Sequence, residues 1–496
     1  MIETHLPALI ALNFLVFALL IPLFGIWKRA VCQPLAVTGT GISTALSLYG
    51  FLSVLNDQPL RYFFGAWQPP VGIEFVYDGL SAFVVLVINV VAFIVLIHSK
   101  HVAIGEFAQK QMAYYSLVML MMLGFNGMVL TGDLFNLYVF LEISSLSAYA
   151  LIAIGEKGAP FAAFRYLIIG TAGGTFYLLG LAFLYTVTGT LNLIDMAAML
   201  PELADNRAVV TALILMVVGI GVKAALFPMH GWLPDSYTYA SSTSSALIAP
   251  IGTKVAAYVL IRIMLFLFGI ELIDLVVPIS TIVGILACIG ILYGSIMAIA
   301  QNELKRMLAY SSVSQIGYIL MGISLANPFG FIGAVLHILN HAIMKATLFM
   351  VSANLRMKEG HSDISLFDHT YRKKYPLTML SFTVAAISMV GLPPLAGFFS
   401  KWYLVLGTVD ANNWLFLVVI LASSLLNAVY FFRILEKVYM SNPNSEVEAS
   451  DETSPMDEVK PSMLYTTLTF AVALLLIGIF NVAIVSMISS MFPGGL

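Results

Sequence analysis

The run HILNHAIMKATLF places His337, His341 and Lys345 at i, i+4 and i+8, on one face of a helix. The stripe is about 12 Å long at 1.5 Å per residue. It lies inside an apolar segment, where ionisable side chains mark ion pathways and proton relays. Two other readings stay open. Two histidines at i, i+4 can share a metal, but no third ligand is evident and a lysine is a poor one. Polar residues at a satisfied helix contact are the plainer reading.

Other buried charges join this stripe. Lys223, in GVKAALFPMHGWLPDSY, ends a long apolar run and precedes Pro228 by five residues. An ammonium in hydrocarbon costs from about 2.5 to more than 10 kcal/mol. Glu142 lies about 15 Å into its own segment. Beside a lysine it is ionised; alone it takes up a proton. A Glu142–Lys223 pair that opens and closes is therefore a proton switch, and one that never opens is a helix tie. Lys254 follows Pro250 and Gly252 in ALIAPIGTKVAAY, where freed backbone groups need a neighbour or a wet cavity. Lys401 follows the break GLPP, Gly391–Pro394, by about two turns. Arg262 sits toward the end of its segment, where it can snorkel. His230, Trp232 and Asp235 either anchor the interface or form a proton inlet. In GTAGGTF, Gly170–Phe176, small residues allow close helix packing.

The elements that must position these residues follow from composition. The chain has 496 residues, 60% hydrophobic and 10% charged, against about 25% charged in ordinary globular proteins. Apolar runs of about 20 residues recur throughout, the length that crosses a hydrocarbon layer. The chain reads as an all-α polytopic membrane protein of about 14 spans. They lie near 5–26, 33–55, 78–97, 112–131, 133–153, 162–187, 208–228, 244–269, 276–299, 304–325, 329–355, 376–408, 412–435 and 463–491. The seventh and twelfth combine a proline break with a buried lysine. Five spans separate their positions, so the two units point in opposite directions. Paired broken helices in inverted repeats point to an ion-translocating protein. Residues 56–77 read as a hairpin on the membrane surface, and the acidic stretch 444–461 as a solvated loop or a docking segment. The net charge of −3 says little about partners, and Cys32 and Cys288 form no disulfide or metal motif.

Basic residues sort to alternate loops. Lys28, Arg29, Lys100, Lys110, Lys157, Arg165, Lys305, Arg306 and Arg372–Lys374 fall on one side; Arg61 and Arg207 fall on the other. The positive-inside rule places the first set in the cytoplasm and both termini outside.

The stretches GDLFNLYVFLEISSLSAYALIA, GVKAALFPMHGWLPDSYTYASSTSSALIAPIGTKVAAY, NELKRMLAYSSVSQIGYI, HILNHAIMKATLFM and GLPPLAGFFSKW resemble the antiporter-like membrane subunits. That superfamily is shared by Mrp-type cation/proton antiporters, NADH:quinone oxidoreductases and membrane-bound hydrogenases. The likeness spans nearly the whole chain and is nearest to the D subunit of Mrp-type antiporters. Lys401 fits that family, although some redox relatives also carry lysine there. The resemblance implies two inverted five-helix repeats, at 112–270 and 271–437, between an N-terminal three-helix region (1–111) and a C-terminal loop and helix (438–496). It implies a proton relay of Glu142, Lys223, Lys254, His337, His341 and Lys401, and less firmly Lys345. It further implies a prokaryotic plasma membrane, partner membrane subunits, protons and sodium as substrates, and no cofactor. Two alternatives share the fold: a proton-pumping arm of a redox complex, and the membrane partner of an inorganic-carbon uptake system.

Overall fold

A computed structural model describes residues 2–55, 58–107, 109–155, 157–275, 277–440 and 456–493. The chain is almost entirely helical. It begins with α1 (Ile2–Gly25) and α2 (Cys32–Val54), then an antiparallel hairpin of β1 (Leu60–Phe63) and β2 (Glu74–Tyr77), then α3 (Gly79–Phe107). The first repeat holds α4 (Gln111–Leu130), α5 (Leu134–Ala153), α6 (Ala159–Thr188), a short α7 (Leu193–Met199), α8 (Arg207–Ala224), α9 (Leu233–Tyr239) and α10 (Ser242–Ile261). After a small α11 (Gly269–Leu272), the second repeat holds α12 (Ile279–Ile299), α13 (Leu304–Ser324), α14 (Pro328–Glu359), α15 (Thr370–Lys374), α16 (Pro376–Val390), α17 (Ala396–Asp410) and α18 (Trp414–Tyr439). The chain closes with α19 (Pro461–Ile479) and α20 (Asn481–Ser489).

Among the described residues, twelve helical segments are long and apolar enough to cross a membrane. The other two expected spans are α13, equally long but more polar and buried in the bundle, and the broken α16–α17. Sequence reading missed α7, because its apolar run is too short to separate from a loop.

The inverted repeat is visible in two matching clasps. Leu134 N donates to Leu191 O (2.9 Å) and Leu193 N to Gly132 O (2.8 Å). In the second repeat, Leu304 N donates to Ser362 O (2.9 Å) and Ile364 N to Asn302 O (2.7 Å). Each clasp ties the start of a repeat's second helix to the chain just after its third. In each, an acid caps the second helix: Asp133 accepts from Asn136 N and Glu303 from Arg306 N. The odd number of crossings between them puts the clasps on opposite faces. In the second clasp, hydrogen bonds from Ser365 hold the Asp363 carboxyl below its ordinary pKa.

The two breaks also match. α8 ends at Ala225, in the left-handed region at φ 60°, and α16 ends at Gly391, at φ 91°. Pro228 and Pro394 each follow three residues later. Proline supplies no backbone N–H, so neither helix resumes at once.

The hairpin does not merely lie on the surface. The buried Glu74 accepts from Arg61 (2.8 and 2.9 Å) and from Asn192 Nδ2 (2.6 Å), which fastens the hairpin to the first clasp. Of the acidic stretch 444–461, residues up to 455 lie outside the described ones. Past them, Asp457 pairs with Lys358 (2.5 Å), and Glu458 accepts from the Leu377 and Thr378 amides at the start of α16.

α6 and α8 pack through glycine. A Cβ on Gly219 would stand 2.6 Å from Gly173 O and from Tyr177 N, and backbone cannot swing aside. Gly219→Ala is therefore expected to force the two helices apart and destabilise the fold by about 1–3 kcal/mol. Thermal unfolding of the detergent-extracted protein checks this; an unchanged midpoint would show that the helices separate freely.

Candidate proton-relay site

Lys223 is in the last turn of α8, just before the break, and is buried. Its Nζ donates to Ser145 Oγ (2.7 Å) and Tyr149 OH (3.1 Å), both on α5. Glu142 lies on α5 one turn before Ser145. Helix α6 passes over both groups with glycines. A Cβ at Gly174 would be 2.4 Å from Glu142 Oε1, and one at Gly170 would be 3.2 Å from Lys223 Nζ. Glu142 and Lys223 thus share a groove but do not touch: no ion pair within 4 Å joins them, and Glu142 Oε1 has no hydrogen-bond partner. The lysine has turned to neutral hydroxyls, so the structure holds the two groups in an open arrangement.

Lys254 is 1% exposed on α10. Sequence reading expects the backbone to open at Pro250; instead the helix continues through it. Lys254 Nζ turns back onto Ala249 O (2.7 Å), with Thr253 Oγ1 at 3.4 Å.

The α14 stripe is fully buried. His337 contacts Ser400 Oγ through Nδ1 (2.9 Å) and Gln315 Oε1 through Nε2 (3.1 Å). The His341 ring lies 5.7 Å from that of His337, and neither of its nitrogens has a partner. Lys345 donates to Leu308 O (2.7 Å) and Ser311 Oγ (2.6 Å) on α13. Lys401 closes the series on α17. Its Nζ donates to Met389 O (3.0 Å), Val390 O (2.9 Å) and Ser424 Oγ (3.2 Å), capping the broken end of α16. A cation at the negative end of a helix is well placed. Gly391 lets it approach, since a Cβ there would sit 2.9 Å from Lys401 Cδ.

Other charges depart from the sequence reading. Arg262 does not snorkel. It pairs with Asp78 at 2.5 and 2.6 Å and bonds Tyr258 OH, beside a cavity of about 260 Å³. The two partners are 184 residues apart, so sequence spacing could not link them. Lys305, sorted with the loop charges, is buried and donates to Ala240 O. Trp232 is no interface anchor: it is buried, stacks on Tyr166 at 3.7 Å and donates to Val222 O. His230 stacks on Phe227, and Asp235 pairs with Arg165 (3.0 Å) and Arg306 (3.7 Å). Sequence reasoning passed over Ser145, Tyr149, Gln315 and Ser400, because hydroxyls and amides are common in helices and nothing local marks these four.

A bundle with broken helices in inverted repeats and a row of buried lysines is a multi-pass membrane protein of the antiporter-like class. The comparisons agree. The family model described as NADH:quinone oxidoreductase/Mrp antiporter, TM, matches residues 131–427, and the chain belongs to this family. It is 43% identical over 497 residues to the NADH-quinone oxidoreductase N subunit of Desulforudis audaxviator, covering 97% of each chain. It is 31% identical over 392 residues to the Na(+)/H(+) antiporter D subunit of Alkalihalophilus pseudofirmus, covering 78% of each. Among solved structures, it is similar to a chain of the membrane-bound sulfane sulfur reductase, an archaeal respiratory membrane complex. That match has a TM-score of 0.89 at 28% identity and covers 98% of this chain and 97% of that one. The Mrp complex from Dietzia shares the fold, with a TM-score of 0.88 at 24% identity, covering 99% of this chain and 98% of that one.

Proposed function

We propose that this chain is the proton-conducting subunit of a multisubunit monovalent cation/proton antiporter, with sodium as the coupled cation. It sits in a prokaryotic plasma membrane with both termini outside. Protons pass along Lys223, Lys254, His341 and His337 to Lys401, with Lys345 beside the row, and closure of the Glu142–Lys223 gap resets the first lysine. The observation that carries this reading is the bonding of the buried lysines. Lys223, Lys254, Lys345 and Lys401 all rest on neutral oxygens, with no carboxylate within 4 Å among the described residues. Such an amine can gain or lose its proton without first breaking an ion pair.

A second reading, proton pumping driven by electron transfer, is favoured by one observation: the 43% relative is named for a quinone oxidoreductase. Both readings use the same path and differ in the driving partner. Inverted membrane vesicles holding the native complex separate them. With an acid interior established, added sodium is expected to collapse the pH gradient, and deletion of this chain to abolish the response. A gradient that ignores sodium and is built by an added electron donor would overturn the antiporter reading in favour of the redox one.

A further inference from the structure

The first two lysines of the row do not share a partner. Lys223 is held from α5, by Ser145 and Tyr149; Lys254 is held on α10, by Ala249 and Thr253. Beside Lys223, against the Ile248, Gly252 and Ala256 face of α10, lies a cavity of about 30 Å³ that stops short of Lys254, above the roughly 10–15 Å³ that one water needs. Lys223, Ser144, Ser145 and Tyr237 line it, which gives a water the two to four polar neighbours it needs.

Tyr237 stands out among these residues. It is carried by α9, the short helix after the break, and is 1% exposed. Its hydroxyl has no hydrogen-bond partner, although a buried phenol normally finds one. Its ring is fixed edge-on against Trp232 and Phe349, both at 6.2 Å. Thr253 lies close enough to interact with the phenol, outside hydrogen-bond geometry, and it is also the neighbour of Lys254 Nζ at 3.4 Å.

We propose that the Tyr237 hydroxyl, with one water in this cavity, carries protons between Lys223 and Lys254. The inference rests on the proton-relay reading above and adds the group that bridges its first gap. The Lys223 ammonium gives a proton to the water. The water passes one of its protons to the phenol oxygen, and the phenol's own proton leaves toward Thr253 and the Lys254 amine. Tyr237 ends neutral, Lys223 ends as an amine and Lys254 as an ammonium, so charge and protons balance. Lys223 from α8 and Tyr166 from α6 share the cavity with Tyr237, and Lys254 follows Thr253 on α10 outside it; on the other helices packed here, Lys345 lies on α14 one turn before Phe349, and Lys305 on α13 donates to Ala240 O.

The test uses the intact complex in vesicles. Tyr237→Phe removes one hydroxyl that bonds nothing in the fold. Sodium-driven collapse of the pH gradient, or donor-driven proton uptake if that is the drive, is expected to slow by at least about tenfold. Co-purification and thermal stability should stay at wild-type values. Wild-type transport in Tyr237→Phe would overturn the proposal. Fluorotyrosine at position 237, a more acidic phenol, should shift the pH profile of transport to lower pH. A slowed Tyr237→Phe whose fluorotyrosine counterpart keeps the wild-type profile would make Tyr237 a packing residue and also overturn it. Lys223→Ala, run in parallel, keeps the two readings apart. An active Lys223→Ala refutes the relay itself, whereas an inactive Lys223→Ala with an active Tyr237→Phe refutes this inference alone.

Discussion

Arginine at position 223 is expected to leave the complex assembled and to reduce transport by at least about 100-fold. The two basic residues differ in one relevant property. An ammonium can release its proton when its surroundings change, but a guanidinium stays charged in any protein environment. An arginine can still donate to Ser145 Oγ and Tyr149 OH, which take 2.7 and 3.1 Å bonds from the lysine. Lys223→Arg therefore keeps the charge and removes the exchange. Lys223→Ala and Glu142→Ala should fail equally for simpler reasons, the loss of the carrier and of its reset. The readout is the rate of cation-driven collapse of the pH gradient in vesicles, normalised to co-purified partner chains. A Lys223→Arg variant that works at wild-type rate would make the buried lysine a fixed charge and remove it from the relay.

The second large effect is on stability. Asp78 is held by both of its oxygens on Arg262, with Tyr258 bonded to the guanidinium and Phe266 beneath it at 4.7 Å. Truncating one member of such a pair leaves the other charge uncompensated, which costs about 3–5 kcal/mol. Asp78→Ala should lower the thermal midpoint of the extracted protein sharply. Adding Arg262→Met to it should restore most of the loss, because two matched apolar groups need no partner. If Asp78→Ala alone unfolds at the wild-type temperature, water already shields the guanidinium through the adjoining cavity.

How far the sequence reaches can be judged from individual residues. The breaks were legible because proline removes a backbone donor and disfavours a helix interior, as at Pro228 and the Pro393–Pro394 pair, although the same signal misleads at Pro250. The α14 stripe was legible because i, i+4, i+8 is a local pattern. Asp78–Arg262 was not, since it joins the starts and ends of distant spans. The open state of Glu142 and Lys223 was not legible either: two residues on different helices can be placed at one depth by counting, but not at one distance. Lys254 failed for another reason. Proline at position 250 lowers the cost of opening the helix there, yet tight packing on all sides keeps α10 intact. The acid caps at Asp133 and Glu303 went unread, and the clasps they border are backbone bonds between segments about 60 residues apart, where backbone carries no residue-specific mark.

Those clasps bear on how such a chain is made. A five-helix unit closed by the same pair of amide bonds is equally sound whichever way up it enters the bilayer. The fold alone therefore gives the insertion machinery no instruction about which end leads. By the positive-inside rule that instruction would rest with a few loop cations, Lys157 and Arg165 at the end of the first repeat away from its clasp and Arg306 and Arg372–Lys374 at the clasp end of the second. Moving one repeat's cations to its opposite end, with every apolar run untouched, is the smallest edit that should turn that repeat over.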